Sequence, residues 1–292
     1  MLHTTRAVVL RTIKHGDRTV VLKAYTELFG LRSYMVRSGG KGGVAPSALL
    51  PLSRVELVVT ENTEREMHTV RELRVERPYT QLHVDAIRGT LALFTQELLY
   101  KVLREESEDP DLFAFVEEAL EAMDTAPDVR CFPLVMLVHL SGHLGFYPEP
   151  PRQGEDRFDL KEGHFIKSAA QLSGPGAEPG GHTLGPPLSA LLAQLLQVNF
   201  RSMATITIPS MQRRELLERL LLYCRLHVTG LGEMRSPAVL HQGLGEGGGT
   251  CGRIRNHGIS YSACAANCRA EDQRDNCSRA YAARRLLLDA AY

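Results

Sequence analysis

No apolar run in the sequence approaches the roughly 18 residues that cross a bilayer. The opening stretch, MLHTTRAVVLRTIKHGD, lacks the apolar h-region and small-residue cleavage site of a secretory signal. Membrane insertion and secretion are therefore not expected. Cysteine is sparse, with six in 292 residues and no obvious disulfide framework, so a reducing cytoplasm is the default setting. Nucleophile elbows, dinucleotide fingerprints and convincing carboxylate pairs are also missing. The stretch RSGGKGG at 37–43 fails as a nucleotide phosphate loop. That loop needs a glycine five residues before the Gly of the Gly-Lys pair and a Ser or Thr after the lysine. Met35 and Gly42 stand at those places.

Residues that hint at metal chemistry lack their complements. His139 and His143 have the spacing of two zinc ligands in HExxH, but Leu140 replaces the general-base glutamate. Their apolar neighbours make them core or core-edge histidines. Cys251, Cys264, Cys268 and Cys277 are separated by 12, 3 and 8 residues, with no CxxC knuckle for a zinc site. Cys131 and Cys224 lie on apolar helical stretches and read as small core residues. Asp156 and Asp159 have too few partners nearby for a nuclease-type site. No catalytic residue, metal or cofactor is expected, although an active site assembled from distant residues stays open at this level.

What is present is a segregation of charge. The chain has 34 Lys+Arg and 34 Asp+Glu. Residues 1–54 nevertheless carry nine basic residues (Arg6, Arg11, Lys14, Arg18, Lys23, Arg32, Arg37, Lys41 and Arg54) against Asp17 and Glu27, a net +7. Residues 81–244 carry 14 basic and 21 acidic residues, a net −7. This asymmetry points to a basic module for a polyanion beside an acidic module with other duties.

The first 80 residues read as β-structure. AVVLRTI (7–13), TVVLKAY (19–25), LRSYMVR (31–37), RVELVV (54–59) and MHTVRELRVE (67–76) are short, rich in β-branched residues and separated by turn signals. Five short strands suit a small barrel, because closure removes exposed edges. The strand count and basic charge favour the OB type; on pattern alone an SH3-like barrel fits nearly as well.

From Tyr79 onward the period becomes helical. Residues 83–107 space Ile87, Leu91, Phe94, Leu98 and Val102 along one stripe. Further helices are predicted over 110–124, 131–146 (apolar all round, hence central), 188–199, 211–228 and 236–244. RFDLKEGHFIK predicts a hairpin turning at Lys161-Glu162-Gly163 inside a Pro/Gly-rich segment, 147–187. The expected fold class is thus α+β: a five-stranded OB-fold barrel (1–80), then a helical domain (81–244). Residues 245–292 show little apolar content before Leu286 and read as a flexible tail.

The nine cations are the candidate DNA-binding residues, because Lys and Arg supply salt-dependent, sequence-independent affinity for phosphates. Tyr25, Phe29 and Tyr34, interleaved with Lys23, Arg32 and Arg37, are candidate base-stacking platforms. Burial of Tyr25 and Tyr34 in the barrel core is an equal alternative.

The stretch RAVVLRTIKHGDRTVVLKAYTELFGLRSYMVR (6–37) resembles the opening of the RecO family of bacterial recombination mediators. So do ALLPLSRVELVV (48–59), HLSGHLGFYPEP (139–150), RFDLKEGHFI (157–166) and LLLYCRLHVTGLGEMRSPAVLHQ (220–242), in that order. The resemblance covers about 1–244 and implies an OB-fold followed by a helical domain. It further implies binding of single- and double-stranded DNA, annealing of complementary strands, and action with RecR. The outcome would be loading of the RecA recombinase onto strands coated by single-strand-binding protein (SSB), whose acidic, hydrophobic C-terminal tail would dock on the helical domain. A cytoplasmic, nucleoid-associated protein is implied, acting without bond chemistry. Some members carry four zinc-binding cysteines after the GFYP-like segment. None lies in 147–187 here, so no zinc is expected. The tail after Leu244 has no family counterpart. RSGGKGG then falls where members carry a glycine/basic loop, between the third and fourth predicted strands. A metal-dependent DNA-processing enzyme and a purely protein-binding adaptor are the rival readings.

Overall fold

The computed structural model of the chain describes residues 2–38, 43–60, 67–103, 108–168 and 181–243. Its N-terminal part is a closed barrel of β1 (Leu2–Lys14), β2 (Thr19–Thr26), β3 (Gly30–Arg37), β4 (Arg54–Thr60) and β5 (Met67–Val75). The strand order is β1-β2-β3-β5-β4, with β3–β5 the single parallel pairing and β1–β4 closing the ring. This is the OB arrangement, so the SH3-like alternative falls away. Residues of one parity, including Val9, Leu22, Tyr34, Leu57 and Val59, fill the interior with zero exposure.

One irregularity decides where the other parity points. Val9 pairs with Ala24 but Arg11 with Lys23, so Leu10 is an extra residue in β1. Such a β-bulge re-aims the side chains that follow it. Here Val8 and Leu10, both fully buried, join the core of the helical part, and Arg11 emerges outward opposite Lys23.

The helical part comprises α1 (Ala86–Val102), α2 (Pro110–Thr125), α3 (Phe132–His143), α4 (Leu188–Leu195), α5 (Ser210–His227) and α6 (Ser236–Gly243). Asp85 starts α1 by accepting from the Arg88 N–H at 2.8 Å; Asp109 starts α2 by accepting from Leu112 at 2.9 Å, ahead of Pro110 at the first helical position. These caps place both starts, and α1 therefore begins at Ala86 rather than His83. Helix α3, with Pro133 in its first turn, is buried on nearly every side, as its unbroken apolar sequence requires. The predicted hairpin forms as β6 (Glu155–Asp159) and β7 (His164–Lys167), and β8 (Thr183–Leu184) adds a third strand that the Pro/Gly-rich sequence does not announce. At the hairpin turn Gly163 has φ +74, and a Cβ there would meet the Tyr223 hydroxyl at 2.9 Å. Only glycine fits both demands. The predicted tail, 245–292, lies outside the described residues.

Barrel and helices share one apolar core. Val8, Leu10, Tyr25 and Leu52 leave the barrel and pack with Phe94, Leu98 and Phe113 of the helical part. Leu52 adopts φ +62, a left-handed conformation costing a leucine about 1–2 kcal/mol. Its N–H donates to the Val9 carbonyl at 2.7 Å, and its carbonyl accepts from the Tyr79 hydroxyl at 2.7 Å. Full burial of the side chain completes the compensation.

The connection from β5 to α1 is held by Asp124 of α2, which is 3% exposed. Its carboxylate accepts from the backbone N–H groups of Thr80, Gln81 and Leu82 and from the Thr80 hydroxyl, at 2.7–3.1 Å. Burial alone would push this carboxyl up, but the hydrogen bonds outweigh it and hold the group below its ordinary 3.8. Asp124→Ala removes the acceptor of three backbone N–H groups, that of Leu82 buried, and should lower the unfolding free energy by about 2–3 kcal/mol in denaturant titration. Because the folded-state value is depressed, the Asp124 contribution is complete above about pH 4 and is lost as pH falls through the depressed value. The Ala variant should therefore show a shallower acid limb of stability than the parent protein.

Candidate nucleic-acid interface

The structure describes eight of the nine cations: two where the barrel meets the helices, five at the open end of the barrel, and Arg32 at an inward-facing position. Arg6 and Arg54 sit where the barrel meets α2. Arg6 Nη1 lies 2.6 Å from Glu117 and Nη2 2.6 Å from Glu27. Arg54 is 7% exposed, pairs with Glu121 at 2.8 Å and lies over the Tyr79 ring, 4.6 Å from its centroid. The Arg6 hydrogen bond holds the Glu27 carboxyl below its ordinary value. Glu117 is pushed up: burial dominates, and the carboxylates of Glu76 and Glu27 together with it outweigh the opposing charge of Arg6. A cleft of about 640 Å³ opens here, lined by both signs, with Arg77 3.3 Å from Glu121 and Arg201 3.5 Å from Glu118. Both Arg6 and Arg54 are thus neutralised. Within the fold they join barrel and helices, and their expected role as phosphate contacts gains no support from this pairing.

Two aromatic expectations are corrected. Tyr34 has zero exposure and fills the barrel interior, as its parity with Val36 requires. Tyr25 is 3% exposed, with its ring 5.8 Å from that of Phe113 on α2. Neither ring is open to a base. Phe29 is half-buried at the turn of the β2–β3 hairpin, edge-on to His3 at 5.3 Å and remote in the strand register from Arg37. Arg32 shares the inward parity of Tyr34 and is half-buried.

The second group does come together. The register aligns Arg11, Lys23, Ser33 and Met67 across β1, β2, β3 and β5, and Ile13, Val21, Met35 and Thr69 one row farther on. Arg37 stands one outward position beyond Met35, opposite Thr19. Lys14 and Arg18 flank the β1–β2 turn. The Ser38 N–H donates to the Arg18 carbonyl at 3.0 Å, and the Val44 N–H donates to the Arg37 carbonyl at 3.0 Å. The stem of the glycine loop therefore rises beside the β1–β2 turn. Residues 39–42, with the candidate Lys41, lie outside the described residues. Arg11, Lys14, Arg18 and Arg37 are exposed and Lys23 half-buried, and among the described residues none of the five forms an ion pair with a carboxylate.

Cations thus bracket an apolar row in which Ile13 and Met35 are 40% and 37% exposed, with Met67, also 40% exposed, beside it. Sequence reading missed these three; for Ile13, alternation in AVVLRTI gives no sign of the bulge that sets its parity. It also missed Tyr100 on α1, whose ring centroid lies 5.5 Å from both Arg11 Cζ and Lys23 Nζ. The available signal was an aromatic residue off the apolar stripe of that helix. Such a surface neutralises phosphates and offers aliphatic contact to bases without a platform that grips them.

The residues suspected of enzyme chemistry have structural partners. Asp159 Oδ1 accepts from the Lys161 and Glu162 N–H groups in the hairpin turn. A His139 ring nitrogen lies 2.6 Å from the Val198 carbonyl, and the His143 ring packs against Phe115 at 4.6 Å. Burial pushes the Cys131 thiol up and that of Cys224 to about 12. Among the described residues no three His, Cys, Asp or Glu side chains converge as a metal site, and no helix is long and apolar enough to cross a membrane.

A basic-faced OB barrel fused through its core to a helical unit defines a nucleic-acid-associated class of protein, and comparison with known proteins gives the family. Residues 1–79 match the family description "Recombination protein O N terminal" and residues 83–236 match "Recombination protein O C terminal". The chain belongs to the RecO family of DNA repair proteins. Similar curated proteins, each named DNA repair protein RecO, include one from Flavobacterium psychrophilum (27% identical; 82% of this chain, 97% of that protein). Others come from Christiangramia forsetii (28%; 84% and 100%) and Bacteroides fragilis (28%; 83% and 99%).

The two groups of arginines should separate experimentally. Arg54→Gln breaks a half-buried ion pair and should cost about 2 kcal/mol of stability by thermal or denaturant melting, with oligonucleotide affinity unchanged. Arg18→Gln should leave the melt within about 0.5 kcal/mol and weaken oligonucleotide binding.

Proposed function

We propose that the outer face of β1–β3 holds DNA by its phosphates and that the protein anneals complementary strands as a recombination mediator. The carrying observation is the group of five cations, Arg11, Lys14, Arg18, Lys23 and Arg37, that have no carboxylate partner among the described residues and surround an apolar row. Lys41, outside the described residues, is included on the strength of its place in the sequence between Arg37 and Val44. Annealing requires that two polyanions approach while their bases stay free to pair. Charge neutralisation without base readout meets both requirements, and no bond chemistry is needed.

Membership of the family supports the remaining assignments. Residues 1–80 act as the DNA-binding unit for single and double strands, and 81–244, with its net charge of −7, docks protein partners. Those partners are RecR and the C-terminal tail of SSB, so that RecA is loaded onto SSB-coated single strands in the cytoplasm, at the nucleoid. The residues 245–292 take no part in this reading.

Binding of a fluorescent single-stranded oligonucleotide, measured against salt, tests it. Each neutralised phosphate contributes about −0.7 to the slope of log K against log salt for single strands, so five contacts give roughly −3.5. A salt-insensitive affinity would contradict the proposal and favour a protein-binding adaptor. The combined variant Arg11→Glu, Arg37→Glu, Lys41→Glu should abolish annealing of complementary oligonucleotides with an unchanged melt. Divalent-metal-dependent cleavage of DNA that disappears in Asp156→Asn would favour an enzyme instead.

A further inference from the structure

Within the proposed interface, one pair of cations is held in an arrangement that a sheet ordinarily avoids. Arg11 and Lys23 are directly opposite each other on adjacent antiparallel strands. Like charges in that position repel, and among the described residues no carboxylate forms an ion pair with either to relieve it. The nearest acid along α1, Glu97, is committed elsewhere. It accepts from the Arg235 and Ser236 N–H groups and the Ser236 hydroxyl, and lies 3.6 Å from Lys101.

What does lie at the pair is Tyr100. Arg11 Cζ and Lys23 Nζ are each 5.5 Å from the centroid of its half-buried ring, within reach of a cation–π attraction. Tyr100 is fixed there from below. Gln96, one turn earlier on the same helix, donates from Nε2 to the Leu10 carbonyl at 2.6 Å, at the bulge itself. The bulge turns Arg11 outward, Gln96 locks α1 to the bulge, and Tyr100 then meets both cations from the helical side.

We infer that Arg11 and Lys23 form a single phosphate clamp for a DNA strand, and that Tyr100 is its positioning residue. The clamp carries the DNA path off the barrel towards α1. Tyr100 draws together two cations that would otherwise swing apart, and a phosphate entering between them supplies the missing negative charge. This rests on the reading of the β1–β3 face as a DNA surface and assigns to it a residue of the helical part.

The test uses the full chain and a labelled 20-nucleotide oligo-dT, with anisotropy recorded across salt. Tyr100→Phe keeps the ring and should bind as the parent does. Tyr100→Leu should weaken binding by on the order of tenfold and make the salt slope shallower. Lys23→Gln should make the slope shallower by about 0.7, and should do less in the Tyr100→Leu background, because the clamp is already loosened. A folded Tyr100→Leu protein with the parent slope would overturn the inference. If Tyr100→Leu fails to fold, Lys23→Gln decides, and an unchanged slope in that variant overturns it equally. Failure of the parent protein to bind the oligonucleotide at low salt would instead remove the DNA face as a whole.

Discussion

The packing of the helical core against one half of the barrel's outer surface is the constraint from which the rest follows. Val8, Leu10 and Tyr25 on β1 and β2, together with Leu52 in its left-handed conformation, are buried among residues of α1 and α2. That burial removes the near end of the β1–β2 face from solvent and leaves the far end open. The bulge at Leu10 is the dividing line. Just before it Val8, and at it Leu10, turn outward into the shared core; after it Arg11 and Ile13 turn outward to the surface.

Charge follows the same division. At the covered end, Glu117 and Glu121 of α2 meet Arg6 and Arg54, so the excess positive charge of the barrel is cancelled locally and helps to join the two parts. At the open end no acidic element of the helical part reaches the cations among the described residues, and they remain available to a polyanion. An uncompensated cluster of this kind costs the folded state some self-repulsion, which the binding of phosphate would relieve. Among the described residues the two open rows of the barrel carry no aromatic side chain, and the one ring beside them, Tyr100 of α1, is half-buried against Arg11 and Lys23.

Much of this was legible in the sequence. The β-branched runs gave five strands, the change of period at Tyr79 gave the helices, and capping residues such as Asp109-Pro110 marked their starts. Strand count and basic charge favoured the OB type without excluding an SH3-like barrel, and the order of the motifs carried the family resemblance. Individual site residues were less legible, for a physical reason. Charge along the chain says nothing about tertiary partners, and Arg6 is neutralised by a glutamate 111 residues away. Tyr34 could have been placed inside the barrel from its parity with Val36. By contrast, AVVLRTI is apolar at too many successive positions to show which residue is the bulge, so the facing of Arg11 and Ile13 needed the structure. Tyr100 acquires its importance only because Gln96 docks on Leu10.

The central claim, that DNA lies on the open half of the β1–β3 face, is tested most directly by photocrosslinking. A single strand carrying 5-iodouracil would be bound to the full-length protein, irradiated, digested and mapped by mass spectrometry. The account predicts crosslinks concentrated in the peptides that contain residues 11–23, 33–37 and Tyr100. Crosslinks confined to α2–α5, with the barrel peptides unmodified, would contradict it.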